Sequence, residues 1–214
     1  MINRLLAEFI GTGFLLIGIV GSGIMAETLS PDNTGVALLA NAIATGCVLY
    51  ALITIMAPVS GAHFNPAVTL AFAVKRQISA RDGAGYVCVQ IVGGVLGVWA
   101  VHLMFDQPVL QVSQTMRSGP HLWWAEIIAT FGLVLVIFGG IRHRAQAVPA
   151  LVGVYITGAY WFTASTSFAN PAVTIARSFS DTFAGISPAH APGFIAMQIV
   201  GALIAARVAA RLYK

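Results

Sequence analysis

"NPAVTLA", residues 65–71, and "NPAVTIA", residues 170–176, are the stretches on which the reading of this chain turns. Asn-Pro opens a helix. Proline at the first helical position has no N–H to leave unpaired and is preset in φ, and asparagine just before it can cap. One such pair is ordinary turn chemistry. Here it occurs twice, in strongly apolar surroundings, and other words repeat with it. "AEFIGT" at 7–12 is echoed by "AEIIAT" at 125–130, and "VQIVGG" at 89–94 by "MQIVGA" at 197–202. All three pairs keep the same order, so the chain is a duplication with halves of about 1–110 and 118–214, built as one membrane domain.

Composition places that domain in lipid. Of 214 residues, 58% are hydrophobic and 8% charged, against about a quarter charged in soluble domains. Apolar stretches at about 5–25, 36–57, 83–105, 121–141, 147–164 and 189–210 each approach the roughly 20 residues a spanning helix needs. Arg4 ahead of the first run imitates a signal peptide, but Glu8 interrupts the run, so it is expected to be a true span. The net charge of +4 reports topology and not a nucleic-acid partner. Walking through six spans puts Arg4, Lys75, Arg76, Arg81, Arg142, Arg144, Arg207, Arg211 and Lys214 on one side. Arg117 and Arg177 fall on the other. The positive-inside rule then sets both termini in the cytoplasm, and the membrane is expected to be a bacterial-type inner (plasma) membrane. Cys47 and Cys88 lie within spans without metal-ligand spacing and are expected as small core side chains.

Three spans per half is an odd number, so the second half must lie inverted in the bilayer. The two Asn-Pro segments therefore enter from opposite faces. Each runs about ten residues, roughly half the apolar thickness at 1.5 Å per residue. They are expected to be re-entrant half-helices meeting near the midplane. Their positive dipole ends and the Asn65 and Asn170 amides would face any lumen there, disfavouring cations and interrupting a proton-conducting water wire. Glu8 and Glu126 occupy equivalent places in the repeat, and an intramembrane carboxylate needs a partner. A structural role outweighs a proton relay. Gln90 and Gln198, also paired, are expected to tie helices together. The glycines of "GGVLG", 93–97, fit a close helix crossing.

"SGAHFNPAVTLAF" and the paired NPA boxes resemble the aquaporin (major intrinsic protein) family along essentially the whole chain. The resemblance implies an all-α, right-handed bundle of six transmembrane helices plus two re-entrant half-helices, one pore per subunit and a homotetramer. It makes Asn65, Pro66, Ala67, Asn170, Pro171 and Ala172 the central motifs. It assigns Glu8 and Glu126 to accept from the re-entrant loop backbones, with His63 bracing the first loop. Neither cofactor nor metal is implied.

The family's selectivity filter takes one residue from span 2, one from span 5 and two from the second re-entrant loop. Matched by position, these fall on Thr45, Tyr160 (with Gly158 as the alternative), Ser167 and Val173. Val173 stands where the family usually has an arginine, Thr45 where strict water channels have phenylalanine. The aspartate of glycerol facilitators is also missing. A wider, less charged filter follows, suited to water, polyols such as glycerol, and arsenite. Valine for arginine with a span-2 threonine resembles the aquaporin-like channels encoded beside bacterial arsenic-resistance genes, which implies arsenite and methylated arsenicals as solutes. Arg177, one turn beyond Val173, either leans back as a vestibule charge that steers weak anions and methylated acids, or is a solvated or loop-bracing residue for which Asp181, four residues on, is one partner.

Two function classes compete with this one. An ordinary water and glycerol channel needs no arsenical solute, and an ion-coupled secondary transporter also uses inverted repeats and broken helices. The transporter would need midplane carboxylates for its ion, and both candidates already have structural work. An enzyme is not expected, because His102, His121, His143 and His190 sit at span ends or in loops without metal or triad spacing. A closed structural or adhesion protein would need outer loops larger than 26–35 and 106–120.

Overall fold

A computed structural model describes residues 1–213. Every regular element among them is helical: α1 (Ile2–Leu29), α2 (Thr34–Ser60), α3 (Pro66–Val74), α4 (Ala80–Met104), α5 (Pro120–His143), a 3-10 turn (Ala145–Ala147), α6 (Val148–Phe162), α7 (Pro171–Arg177) and α8 (Ala191–Leu212). The order long, long, short, long occurs twice. Five helices, α1, α2, α4, α5 and α8, are long and apolar enough to cross a membrane. The chain is a multi-pass membrane protein.

The remaining expected span, 147–164, is shorter than its apolar stretch. α6 has 15 residues, about 22 Å at helical rise. Thr163 leaves the helix in an extended conformation, which starts the descent toward Asn170. The half-helices are shorter too: α3 has 9 residues and α7 has 7, where about ten were expected. Capping explains their starts. Asn65 and Asn170 are N-caps in extended backbone with proline following, and each side-chain oxygen accepts from the backbone two residues on, Ala67 N at 2.9 Å and Ala172 N at 3.0 Å.

α1 packs on α2 and α4, α5 on α6 and α8, and α2 on α6. The half-helices cross over between the halves, with α3 against α8 and α4 against α7. Backbone contact makes the crossings close. A Cβ at Gly93 or Gly97 would strike the carbonyls of Phe9 and Gly13 on α1, and one at Gly201 would sit 2.6 Å from the Ile127 carbonyl on α5. Helices that bring backbones together in this way suit lipid, where apolar side chains gain little by meeting each other.

Cys47 and Cys88 lie in α2 and α4 but are exposed on the bundle surface, against the expectation of core positions. These helices are apolar all round, so polarity does not mark the inner face.

Contacts sort the two ends of the bundle. Arg4 of α1 donates to the Tyr86 hydroxyl of α4 at 2.8 Å, and Tyr86 donates to the Ser60 carbonyl at the end of α2. Lys75 lies over Phe138, and His143 meets Tyr213. This is the basic end. At the far end, segment 106–119 is stitched to 178–190: Ser113 N donates to Ser178 O, Gln114 N to Asp181, and Ser187 N to Thr115 O, at 2.8–2.9 Å.

Candidate functional site: a lumen crossed by two half-helices

The centre is a two-fold set of hydrogen bonds. Glu8 accepts Ser60 Oγ (2.7 Å) and His63 N (2.9 Å) on one oxygen, and Phe64 N (2.7 Å) and Gln90 Nε2 (2.8 Å) on the other. Glu126 accepts Phe168 N (2.9 Å) on one, and Ala169 N (2.8 Å) and Gln198 Nε2 (2.6 Å) on the other. Each glutamine also donates to the threonine four residues past the Asn, Gln90 to Thr69 and Gln198 to Thr174. Each threonine in turn donates to the Asn carbonyl. A fully buried carboxylate is tolerable only when it is paired and hydrogen-bonded. Here it fastens a loop that has no helix of its own.

Those loops carry unusual backbone. Ala62 and Phe64 in the first, and Ser167 and Ala169 in the second, have φ between 47° and 51°. Non-glycine residues in the left-handed region cost on the order of 1 kcal/mol each and persist where surroundings hold them. The two glutamates, through consecutive backbone N–H groups, supply that hold. Ser60 and Ser165, each five residues before its Asn, cap the loops in the same way, accepting from Ala62 N (3.0 Å) and Ser167 N (3.3 Å). Neither serine was among the expected residues, though both repeat in register with the NPA words. Arg4 and Tyr86 had no repeated partner to reveal them.

The half-helices abut through their asparagines. Asn65 Nδ2 donates to Ala169 O at 2.7 Å, and Asn170 Nδ2 donates to Phe64 O at 2.8 Å. One amide hydrogen of each is thus spent on the opposite loop, so the Asn pair offers the lumen half the donors that free amides would.

Asn65 and Asn170 both line a cavity of about 530 Å³ that runs from Gln146 and Pro149 past the Asn pair to Arg177. Thr45, Tyr160, Ser167 and Val173 line it too, as do His63 and Val68. Thr45 and Tyr160 are neighbours along one wall, joined by a hydrogen bond of 3.2 Å between their hydroxyls. Gly158 points away from the lumen and is exposed. Two residues along a helix is about 200° of rotation, so positions 158 and 160 cannot share a face. Val173 is 2% exposed. Ser167 Oγ has no protein partner.

Arg177 does not pair with Asp181. α7 ends at Arg177, so Asp181 is not one helical turn away, and its carboxylate accepts from Gln114 N instead. Arg177 is 3% exposed. Its Nε donates to Ala184 O, and its guanidinium lies over the Phe168 ring, 3.4 Å from the centroid. Arg117 reaches the same ring at 5.3 Å, with Nε on Gly185 O (2.8 Å) and Nη2 on Phe183 O (3.3 Å). Arg117 lies outside the spanning helices, and burial holds it below the usual arginine range.

Among the histidines, His63 faces Thr69 Oγ1 at 3.1 Å and stacks on Phe72 at 4.4 Å. His102, expected simply at a span end, is fully buried and bridges Val109 O and Ser180 Oγ, both at 2.9 Å. No cluster of three His, Cys, Asp or Glu that could hold a metal ion occurs among the described residues.

An all-helical, multi-span bundle with two capped half-helices abutting over a lumen is a pore-type membrane protein. The match to known proteins agrees: the chain belongs to the major intrinsic protein family, whose pattern covers residues 1–163. It is 54% identical over 203 residues to Aquaglyceroporin AqpS of Rhizobium meliloti (strain 1021), covering 95% of this chain and 87% of that protein. Probable aquaporin TIP5-1 of Oryza sativa subsp. japonica is 32% identical, with 94% and 80% covered. Aquaporin NIP1-1 of Zea mays is 32% identical over 72% of this chain, which spans about half (54%) of that relative. In fold, the chain superposes on the aquaglyceroporin from Plasmodium falciparum with a TM-score of 0.75 at 20% identity, covering 96% and 94%.

Proposed function

We propose that the cavity is a passive channel for small neutral solutes, with water and glycerol-like polyols as its basic cargo and arsenite and methylated arsenicals as further solutes. One observation carries the reading: a single continuous cavity passes both asparagines with Val173 in its wall at the position where the family usually puts arginine. Without a fixed cation there, the constriction is wider and less selective for water. The Thr45–Tyr160 hydroxyl pair and Ser167 give a polyol or an arsenic trihydroxide hydrogen-bonding partners, and Val173 gives its carbon face or methyl groups an apolar wall. Similarity to a protein named aquaglyceroporin supports glycerol-like cargo. The arsenicals rest on the valine and threonine alone.

The basic end is assigned to the cytoplasm, with both termini there, in a bacterial-type inner membrane. Four copies, each with its own pore, make the assembly. Glu8 and Glu126 each hold several hydrogen-bond donors, which favours the channel over an ion-coupled transporter that would need one of them for its ion.

The test is a stopped-flow panel of water, glycerol, arsenite and methylated arsenicals on proteoliposomes. Val173→Arg is expected to keep water flux and to cut the larger solutes by about tenfold or more, the effect of restoring a narrow cationic ring. Undiminished glycerol and arsenical flux in that variant defeats the filter assignment. Flux that responds to an imposed proton or sodium gradient defeats the channel.

A further inference from the structure

The lumen has one permanently charged side chain among the described residues lining it, and that is Arg177. Its surroundings differ from those of an ordinary structural arginine. Nε is spent on Ala184 O and one face on Phe168. No acceptor among the described residues takes the two η nitrogens, which keep some contact with the lumen that Arg177 lines. The nearby carboxylates are committed elsewhere, Glu126 to Phe168 N, Ala169 N and Gln198, and Asp181 to Gln114 N. A guanidinium 3% exposed with its η edge open only to the lumen is poorly hydrated, and an anion that reaches that edge gains a charge-assisted pair. The second guanidinium on the Phe168 ring, Arg117, adds positive potential and removes none.

We infer that the far mouth of the lumen is a binding site for a small monocarboxylate, held by the η nitrogens of Arg177 above the filter. The free edge of a guanidinium is a planar fork that matches the two oxygens of a carboxylate. Phe168 fixes the plane of that fork, and the carbonyl of Ala184 fixes its rotation. Val173 lies one turn, about 6 Å, nearer the asparagines on the same half-helix and gives a short alkyl group an apolar wall. A ligand with a second charge would carry it into a lumen that has no other fixed charge among the described residues lining it. The carboxylate therefore occupies the mouth and obstructs the file of neutral solutes.

The inference rests on the cavity being the conducting path, and the assay separates the two claims. Glycerol efflux from proteoliposomes is measured at neutral pH against increasing external L-lactate. Lactamide, its uncharged counterpart of nearly the same shape, serves as the control at equal osmolarity. Wild type is expected to be inhibited by lactate at concentrations about tenfold below those at which lactamide acts, the size of one charge-assisted fork. Arg177→Gln is expected to erase that tenfold difference. Arg177→Lys, which keeps the charge but not the fork, retains part of it. Wild type that passes glycerol yet responds alike to lactate and lactamide overturns the site, and this holds even if Arg177→Gln fails to fold. Equal lactate inhibition of wild type and a folded Arg177→Gln overturns it as well. Wild type that passes neither glycerol nor lactamide overturns the channel reading instead.

Discussion

His63 and Phe72 at the basic side of the asparagines occupy the same repeat positions as Phe168 and Arg177 at the far side. The geometry is preserved: His63 stacks on Phe72 at 4.4 Å, and Arg177 stacks on Phe168 at 3.4 Å. The chemistry is not. One mouth carries two aromatic rings, the other a ring with a cation. Between them the centre is nearly identical in both halves, with a glutamate, a glutamine, a threonine and an asparagine making the same bonds. The scaffold that fastens the half-helices is therefore symmetric, and the groups that meet a solute first are not. The duplicated fold keeps its repeat in the bonds that hold the half-helices, and in Val68 and Val173 beside them, and loses it at the two mouths.

Removing the carboxylates attacks the symmetric part and has the largest expected effect. Glu8→Leu and Glu126→Leu each strand at least two backbone N–H groups in lipid-buried loops, costing about 3–5 kcal/mol, as for a buried pair that loses one partner. Folded yield in detergent is expected to collapse to the same extent in both variants. A folded, conducting Glu8→Leu beside an unfolded Glu126→Leu would break the equivalence.

The helix crossings come next. Gly93→Val drives a side chain into the Phe9 carbonyl, and Gly201→Val drives one into the Ile127 carbonyl. Overpacking against backbone costs about 1–3 kcal/mol, so both variants should melt at lower temperature by similar amounts. A smaller, unequal effect is expected from the stacked rings. Phe168→Leu removes the shelf beneath two guanidiniums, about 1–2 kcal/mol in a desolvated setting, whereas Phe72→Leu removes only ring contacts at a half-buried site. Thermal unfolding of the two variants side by side checks the order.

Much of the symmetric part was legible in sequence because repetition marks it. Asn65 with Asn170, Glu8 with Glu126 and Gln90 with Gln198 recur in register, and their chemistry in lipid leaves few roles open. Ser60 with Ser165 and Thr69 with Thr174 carry the same mark, but a hydroxyl in a membrane helix or loop has many roles open to it, so repetition alone assigns them none. The asymmetric part has no such mark. Helical spacing offers Asp181 as a partner for Arg177, but the helix stops at 177, spacing rules lapse with it, and the loop is braced through Ala184 O instead. Sequence leaves Gly158 as an alternative to Tyr160 and suggests core positions for Cys47 and Cys88, because helices apolar on every face hide their phase from composition. The aromatic shelf under Arg177 and Arg117 joins residues 51 positions apart (Arg117 and Phe168), a contact no local pattern encodes.

The smallest effect belongs to the hydroxyl pair that no repeat duplicates. Thr45 and Tyr160 share one hydrogen bond of 3.2 Å inside the lumen wall, and a neutral bond of that length contributes about 0.5–1.5 kcal/mol. Tyr160→Phe leaves the Thr45 hydroxyl facing a wet lumen, where water replaces the lost partner, so the loss should fall at the low end. Thr45→Val should cost as little. Because both changes delete the same bond, the double variant is expected to be barely less stable than either single one, and the coupling in a double-mutant cycle should nearly equal one single loss. Strictly additive losses would mean that the two hydroxyls act separately, each toward the solute, and the wall would then offer two independent hydrogen-bonding groups where the structure pairs them.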